Sequence, residues 1–154
     1  SYNQVFNLPY TIIRPSALYG ERCISRRVGQ IFIENSLNNR KIEISGDGSE
    51  KLDFTYIQDL VDGITKEIEN PKSKNQIFNL TFGSSRSVND MLEILKKYFP
   101  KVIVQYKPKD KLTPKRGTLL TDKAKSLLGY DPKWTLDKGY PKYIEWYKKL
   151  YESN

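Results

Sequence analysis

The sequence predicts an α/β fold in which a small sheet packs against helices, and three observations support this prediction. Alternating or β-branched runs are separated by runs with helical periodicity, in the order β, α, β, β, α, β, α, β, α, α. The 154 residues suffice for one domain with a substantial core. Hydrophobic residues make up 38% and charged residues 29%, which is typical of a soluble globular protein. The strands are too few and too irregularly spaced for a complete doubly wound sheet.

The first third of the chain predicts three strands and one helix. Residues 11–13 are β-branched and predict a buried strand, and residues 41–45 alternate as a second strand. Residues 46–48, Gly-Asp-Gly, predict a turn, and residues 52–57 alternate again, with successive side chains on opposite sides. A helix is predicted over residues 26–37 because apolar residues recur there at helical spacing. Its predicted apolar face is formed by Val28, Ile31, Phe32 and Leu37.

The middle third predicts two helices around a strand. Asp59 is the predicted N-cap of a helix that stops at Asn70-Pro71. Its predicted inward face consists of Leu60, Val61, Ile64 and Ile68. Residues 76–81 predict a strand, and Ser87 with Asp90 three residues later has the pattern of a capping box. The helix that follows is predicted to bury Val88, Met91, Leu92 and Leu95.

The last third predicts a strand, a basic loop and two helices. Residues 101–106 predict the strand, and residues 107–117 are rich in Pro and Lys. Thr121 begins a short predicted helix that ends at Gly129, a residue suited to the C′ position. Thr135 begins the last helix, with Pro141 in its first turn, where proline costs little. The predicted inward side of this helix consists of Tyr140, Tyr143, Ile144, Tyr147, Leu150 and Tyr151.

The residue inventory excludes several kinds of site. The chain has no histidine and one cysteine, Cys23, so triads that use histidine, histidine-ligated metals and thiolate cages are excluded, and no metal site is predicted. A single cysteine cannot form an internal disulfide, and we expect a reducing cytoplasm. No apolar run approaches the ~20 residues of a membrane span. The first residue is Ser1 rather than Met, which is expected of a processed product or an excised piece.

The positive charge is concentrated in the last third. Residues 1–100 carry 13 Lys and Arg against 12 Asp and Glu, a net charge of +1, whereas residues 101–154 carry 13 against 6, a net charge of +7. This asymmetry fits an anionic partner such as a phosphate group, nucleic acid or an acidic surface. It equally fits a solvated lysine face on terminal helices. A basic nucleic-acid-binding module and a scaffold domain are therefore kept as alternatives.

A Gly-rich nucleotide-binding turn is absent from the sequence. No GxGxxG, GxxGxxG or GxxxxGK[ST] occurs, and the glycines at 46 and 48 precede a strand pattern rather than a helix. Three segments nevertheless resemble, in the right order, the C-terminal half of the extended short-chain dehydrogenase/reductases, the NAD-dependent nucleotide-sugar epimerase/dehydratase family that includes UDP-glucose 4-epimerase-like enzymes. The segments are "LPYTIIRPSALYG", "ISGDGSEKLDFTYIQDLVDGI" and "RGTLLTDKAKSLLGYDPKWTLDKGYPKYIEWY".

The resemblance implies that residues 1–154 form the substrate-binding C-terminal domain of an extended Rossmann-type enzyme. The cofactor would be NAD, held mainly by an N-terminal Rossmann half that carries the Gly-rich turn, a Ser/Thr and a YxxxK pair. None of these is found here, so no catalytic residue is assigned and the chain alone is expected to be inactive. Expected partners are a nucleotide-diphosphate sugar, that N-terminal half and, by family habit, a second subunit in a homodimer.

The resemblance also assigns binding residues. The loop implied to lie under the nicotinamide consists of Pro15, Ser16, Ala17 and Leu18. The residues implied to bind the nucleotide sugar are Arg22, Arg26, Arg27, Ile42, Glu43, Ile44 and Arg116. Arginine forks suit a diphosphate because they are bidentate and always charged, although the first three arginines also fit a solvated helix start. Arg116 ranks first among these residues. The family's phosphate-contacting arginine falls on Leu52, and an asparagine common in the family falls on Ala17.

Overall fold

The computed structural model describes residues 1–23, 25–109, 112, 114 and 116–153, and these residues have the α/β architecture that the sequence predicts. The helices are α1 (Tyr2–Phe6), α2 (Val28–Leu37), α3 (Ile57–Glu69), α4 (Val88–Tyr98), α5 (Asp122–Leu128) and α6 (Leu136–Glu152). The strands are β1 (Thr11–Arg14), β2 (Leu18–Tyr19), β3 (Ile42–Ser45), β4 (Lys51–Leu52), β5 (Thr55–Tyr56), β6 (Gln76–Asn79), β7 (Arg86–Ser87) and β8 (Val104–Lys107). Residues 110, 111, 113 and 115 of the predicted basic loop lie outside the described residues.

The strands associate in pairs that bring distant parts of the chain together. β1 pairs in parallel with β6, β2 with β5 and β3 with β8, whereas β4 and β7 are antiparallel. The register of the β1–β6 pair sets Ile12 opposite Ile77 and Ile13 opposite Phe78. Because successive side chains of a strand point to opposite faces, these two pairs of residues lie on opposite sides of the sheet.

Local sequence signals place two helix ends correctly. Ser87 and Asp90 form the predicted capping box at α4, where the Asp90 N–H donates to the Ser87 hydroxyl (3.0 Å) and the Ser87 N–H donates to the Asp90 carboxylate (2.8 Å). Gly129 ends α5 with φ 65°, a left-handed conformation in which a residue without Cβ is unstrained. Both predictions are confirmed. The sequence could show them because each depends only on residues within one turn of the chain.

The prediction for α3 is wrong in two respects. Tyr56 is the N-cap, and Asp59 lies in the first turn, where its carboxylate accepts hydrogen bonds from the backbone N–H groups of Lys133 (2.8 Å) and Trp134 (3.0 Å). Two residues predicted to face inward, Val61 and Ile68, are 46% and 75% exposed. The helix packs instead through Leu60 and through Gly63, where an added Cβ would come within 3.0 Å of Leu80 and the Tyr130 ring.

Three further predictions need correction. Residues 53–56 are buried on both sides, so the alternation expected over 52–57 does not separate a core face from a solvent face. Pro141 lies beyond the first turn of α6, because the helix begins at Leu136. On the same helix Leu150 and Tyr151 are 41% and 43% exposed, whereas the other predicted inward residues are buried. α1, β2 and β7 were not predicted.

The buried apolar residues form two clusters. The larger cluster lies between α2, α4, α6 and β3, and it consists of Tyr19, Phe32, Ile33, Ile42, Ile44, Phe54, Tyr56, Met91, Leu92, Ile94, Leu95, Leu136, Tyr140, Tyr143, Ile144 and Tyr147. The smaller cluster joins β6 to α3 and α5, and it consists of Leu60, Phe78, Leu80, Ala124, Leu128 and Tyr130. Ile13 on β1 packs against the smaller cluster. The larger cluster is therefore enclosed by helices, whereas the smaller one is covered by a two-stranded sheet.

The outer side of that sheet is apolar and exposed. Ile12 is 44% and its partner Ile77 is 36% exposed, and α1 buries none of its residues. Tyr2 and Tyr10 line a groove together with Ile12 and are 71% and 43% exposed. We call this surface, formed by Tyr2, Tyr10, Ile12 and Ile77, the open face.

Two negative findings apply to the described residues only. None of their helices combines the length and the apolar character that crossing a bilayer requires. In the same part of the chain, no group of three or more His, Cys, Asp and Glu side chains is arranged to hold a metal ion.

Candidate functional site

A cleft of about 180 Å³ brings together the segments that the sequence analysis assigned to binding. One wall is the loop leading into β2, a second is the start of α2, and the floor comes from β4, Phe54 and α4. Its lining consists of Ala17, Leu18, Tyr19, Arg27, Val28, Gly29, Leu52, Phe54, Met91 and Arg116. Residues 17–18, 27 and 116 are thus near one another although they are far apart in sequence.

The floor of the cleft, formed by Leu52, Phe54 and Met91, is apolar and continuous with the larger cluster. Phe54 is 3% and Met91 is 0% exposed. Gly29 allows α2 to approach this floor, because an added Cβ would lie 3.2 Å from the Tyr140 ring and 3.3 Å from Met91. This surface suits the flat, apolar part of a ligand rather than its charged part.

The rim of the cleft is cationic. Arg27 and Arg116 are exposed, and within the described part of the chain neither forms an ion pair. Arg27 is also the N-cap of α2, whose first turn contains no acidic residue and whose cap makes no side-chain hydrogen bond. The N-terminal N–H groups of a helix attract anions. Two guanidinium groups and a helix N-terminus therefore make the electrostatic potential at this rim positive.

The segment that carries Arg116 is tied down just after that residue. The Thr118 hydroxyl donates to the Ser85 hydroxyl (2.8 Å) and accepts from the Ser85 N–H (3.0 Å). The Leu119 N–H donates to the carboxylate of Asp53 (3.1 Å). Asn79 donates its side-chain amide to the carbonyl of Leu120 (2.9 Å). These contacts give Asp53 a structural role.

The remaining predicted arginines do not line the cleft. Arg26 pairs with Glu34 on α2 at 3.2 Å, so its charge is partly neutralised within the helix. Arg22 is exposed and has φ 63° in the turn before α2. Of the three arginines that follow the Pro15–Leu18 loop, only Arg27 reaches the cleft.

The predicted base-contacting strand lies elsewhere. Ile42 and Ile44 belong to the larger cluster and are 0% and 4% exposed, so their side chains have no surface to offer a ligand. Glu43 faces solvent and pairs with Lys107 at 2.6 Å. None of these three residues lines the cleft. The alternation of β3 explains the difference, because it directs both isoleucines into the core.

The predicted cofactor loop fits only a part of NAD. Pro15 is exposed and Ser16 is half-buried, while Ala17, with φ 37°, and Leu18 line the cleft. These residues can contact a ring from one side. The whole sequence lacks the Gly-rich strand–turn–helix that cradles a dinucleotide pyrophosphate, so this chain offers no cradle for that group.

The tyrosines near the cleft have raised pKa values. Burial raises the pKa of Tyr19, with smaller contributions from Tyr56 and nearby carboxylates, so its phenol stays protonated at neutral pH. Burial and a hydrogen bond to Glu21 likewise raise the pKa of Tyr56, whose hydroxyl lies 2.6 Å from that carboxylate. Lys142 lies over the Tyr56 ring, 5.5 Å from its centroid, and so does not activate the hydroxyl.

Sequence reasoning missed several lining residues. Met91 was recognised only as part of a helical stripe, and Phe54 only as part of an alternating strand. Tyr19 and Gly29 were not singled out. A helical or alternating pattern identifies buried residues, but it carries no signal that separates the floor of a cleft from the interior of a core.

The fold places this chain among α/β proteins of partial Rossmann type, and comparisons with known proteins identify the family. The profile of the NAD dependent epimerase/dehydratase family matches residues 1–81. A putative UDP-glucose 4-epimerase of Methanocaldococcus jannaschii is 32% identical over 152 residues, covering 96% of this chain and 48% of that protein. An uncharacterized UDP-glucose epimerase of Bacillus subtilis is 30% identical over 152 residues, covering 98% of this chain and 48% of that protein.

Solved structures agree with these relatives. The UDP-glucuronic acid 4-epimerase of Bacillus cereus, solved in complex with UDP-glucuronic acid and NAD, matches with a TM-score of 0.90 and 28% identity, covering 97% of this chain and 48% of that one. The chain therefore belongs to the NAD-dependent epimerase/dehydratase family, as the sequence motifs predicted. NAD is the cofactor of that family. The chain spans about half the length of the curated relatives it matches.

Proposed function

We propose that this chain is the nucleotide-sugar-binding part of an NAD-dependent epimerase or dehydratase. The observation that supports this proposal best is the presence of Arg27, Arg116 and the N-terminus of α2 around one cleft. Both guanidinium groups remain charged at every physiological pH, and each can contact a phosphate in two places. A UDP sugar is the first ligand to test, because the relatives named above are UDP-sugar enzymes.

Each wall of the cleft has a distinct task in this proposal. Arg27 and Arg116 hold the diphosphate, and the apolar floor at Phe54 and Met91 supports the nucleoside. The sugar then extends toward residues 15–18, where NAD, when bound, supplies the hydride acceptor. Binding energy gained at the diphosphate fixes the position of the reacting carbon, which lies several bonds away. No described residue of the cleft moves a proton in this scheme.

The open face would accept the N-terminal Rossmann half. β1 and β6 form a parallel pair, and purely parallel sheets are covered on both faces in α/β proteins. Here the side with Ile13 and Phe78 is covered, whereas the side with Ile12 and Ile77 is not. Helices of a Rossmann half would bury that second side, and its strands would continue the sheet.

Calorimetric titration of the 154-residue chain with UDP-glucose, UDP-glucuronic acid, NAD and single-stranded DNA tests the proposal. A thermal shift gives a second readout, because a ligand at 100 times its Kd stabilises a protein by about 2.7 kcal/mol. We expect a UDP sugar to bind and Arg116→Ala to weaken its binding by about tenfold, the loss of a charged hydrogen-bonding partner.

Arg40→Ala is the matched control, because Arg40 is an exposed arginine outside the cleft. It should leave the affinity for the UDP sugar unchanged. Tight binding of NAD by this chain alone would contradict the assignment of the cofactor site to another segment. A chain that bound DNA and no UDP sugar would contradict the proposal altogether.

The nucleic-acid alternative receives little support from the aromatic residues. Tyr140 and Tyr143 are 0% and Tyr147 is 6% exposed, so these rings are unavailable for stacking on bases. Lys142 and Lys148 lie over aromatic rings of the protein itself. The basic terminal region therefore presents lysines as a solvated face on α6.

A further inference from the structure

Asp53 is the most deeply buried acidic group of the described residues, with 0% exposure. Its carboxylate accepts three hydrogen bonds, from the Thr81 hydroxyl (2.8 Å), the Gly83 N–H (2.9 Å) and the Leu119 N–H (3.1 Å). Burial of a carboxylate is costly unless it is well hydrogen-bonded. These three donors come from two separate segments, so Asp53 joins parts of the chain that no strand pairing connects.

One of those segments ends at the cleft. Residues 116–120 form neither helix nor strand, and an added Cβ at Gly117 would meet no atom within 4 Å. Packing therefore does little to order the backbone next to Arg116. The hydrogen bonds of residues 118–120 therefore hold this segment in place. Among them, the bond from the Leu119 N–H to the Asp53 carboxylate is the buried one.

The residues on either side of Asp53 in the sequence also reach the cleft. Its sequence neighbours Leu52 and Phe54 both line the floor, so the carboxylate belongs to the same short run as the floor. A change at Asp53 would therefore alter the position of Arg116 relative to Leu52 and Phe54. Holding a guanidinium in place before the ligand arrives reduces the entropy lost on binding.

We propose that Asp53 is a positioning residue for ligand binding, which holds Arg116 over the cleft through Leu119. This inference rests on the proposed function, because it assumes that Arg116 contacts the ligand. Asp53 itself touches no ligand. In Asp53→Asn, an NH2 group in place of Oδ2 would face the Thr81 hydroxyl, which can rotate to accept from it, and the Leu119 N–H, which cannot, so the segment with Arg116 would lose its buried tether.

The test is a double-mutant cycle on the 154-residue chain, with UDP affinity measured by calorimetry. We expect Asp53→Asn to weaken UDP binding by about tenfold, close to the effect of Arg116→Ala. The double variant should bind no more weakly than Arg116→Ala alone, because the two residues act through one contact. Additive losses, or an Asp53→Asn variant with wild-type affinity, would overturn the inference.

Asp59→Asn is the matched control. Asp59 is also buried, at 4% exposure, and it also accepts backbone N–H groups, but its donors are Lys133 and Trp134 rather than the segment that carries Arg116. Its variant should lose stability without losing UDP affinity. An equal loss of affinity in both variants would mean that general destabilisation, not positioning, explains the effect.

A failure of the proposed function can be distinguished from a failure of the inference about Asp53. If the wild-type chain does not bind UDP, or if Arg116→Ala binds it normally, the proposed function fails and this inference with it. If Arg116→Ala weakens binding and Asp53→Asn does not, only the inference fails. Should Asp53→Asn not fold, Leu119→Pro removes the N–H that donates to Asp53 and leaves the carboxylate in place. It should weaken UDP binding without additivity with Arg116→Ala, and unchanged affinity would overturn the inference.

Discussion

The two clusters of this chain differ in how completely they are enclosed. The larger cluster is surrounded by α2, α4 and α6, and its central tyrosines at 140 and 143 are 0% exposed. The smaller cluster has α3 and α5 on one side of the β1–β6 pair and only solvent on the other, where Ile12 and Ile77 lie. The first region is complete in itself, and the second resembles one half of a core.

The cleft lies on the complete side. Its floor consists of residues that belong to the larger cluster or contact it, whereas the cofactor loop at residues 15–18 connects β1 to β2. A rigid support for ligand-binding groups is needed where they must keep their positions. The difference between the regions therefore suggests that ligand recognition depends on the enclosed cluster and partner association on the open face.

Tyr140→Ala should have the largest effect. The Tyr140 ring is fully buried against Tyr19, and its hydroxyl donates to the Gly29 carbonyl (2.9 Å). We expect a loss of about 3–5 kcal/mol in the free energy of unfolding, measured with urea. Tyr140→Phe, which keeps the ring, should cost about 1 kcal/mol. Phe78→Ala should cost less than Tyr140→Ala, because the smaller cluster can relax toward its open side; the reverse order would contradict the comparison.

Leu52→Arg should strengthen ligand binding on the enclosed side. Leu52 lies in the cleft at the position where the family has a phosphate-contacting arginine. A third guanidinium there should raise the affinity for UDP by about tenfold, or about 1.4 kcal/mol. Calorimetric titration of the variant measures this gain. Ile68→Arg is the control, because it adds the same charge at an exposed position that does not line the cleft, and an equal gain in both variants would show an effect of charge alone.

The pH dependence of stability should have opposite signs in the two regions. Burial raises the pKa of Asp59, although backbone hydrogen bonds from Lys133 and Trp134 oppose the shift. Its stabilising contribution is complete at low pH and is lost as pH rises through the raised pKa.

The Arg86 guanidinium and the Ser87 N–H lower the pKa of Asp90. Its contribution is present above the unfolded pKa of about 3.9 and is lost as pH falls through the lowered value.

Urea unfolding between acidic and neutral pH measures both effects. The stability of wild type relative to Asp59→Asn should decrease as pH rises, whereas its stability relative to Asp90→Asn should increase. The same sign for both variants would contradict the assigned causes. Arg86→Ala provides a control, because it removes the ion pair with Asp90 at 3.2 Å and should weaken the pH dependence that Asp90 causes while leaving that of Asp59 unchanged.

Ile12→Ser combined with Ile77→Ser should have the smallest effect on the chain itself. Both residues are on the open face, and we expect the free energy of unfolding to change by less than about 0.5 kcal/mol. Ile13→Ser, one residue away on the covered side, should cost about 2–4 kcal/mol. Urea unfolding of the Ile12→Ser/Ile77→Ser double variant and of Ile13→Ser compares the two sides of the sheet. A large loss of stability in the double variant would mean that the open face is already part of the core.

The sequence predicted those elements whose signals are local. The capping box at Ser87 and Asp90 and the αL residue Gly129 were identified because each depends on one turn of chain. The two-residue strands β2 and β7 were not, because they exist only through pairing with β5 and β4. Val61 looked like a core residue because the pattern could not reveal that Gly63 forms the packing surface against Tyr130.

For the cleft, the motifs located Ala17, Leu18, Arg27 and Arg116, and the structure brings these four residues together. The isoleucines of β3 were assigned to a ligand on resemblance alone, and their burial follows from the alternation of the strand. The contact between Asp53 and Leu119 joins residues far apart in sequence, so no spacing could have indicated it.

The parallel pairing of distant strands also affects how quickly the chain reaches this fold. Thr11 pairs with Gln76, and Ile42 pairs with Val104, each across more than sixty residues. Closing such long loops costs entropy before any contact compensates for it, so chains with this topology fold slowly. The helices can form early, but the strand edges stay unpaired until late. Refolding should therefore be the stage at which this protein is most prone to aggregate.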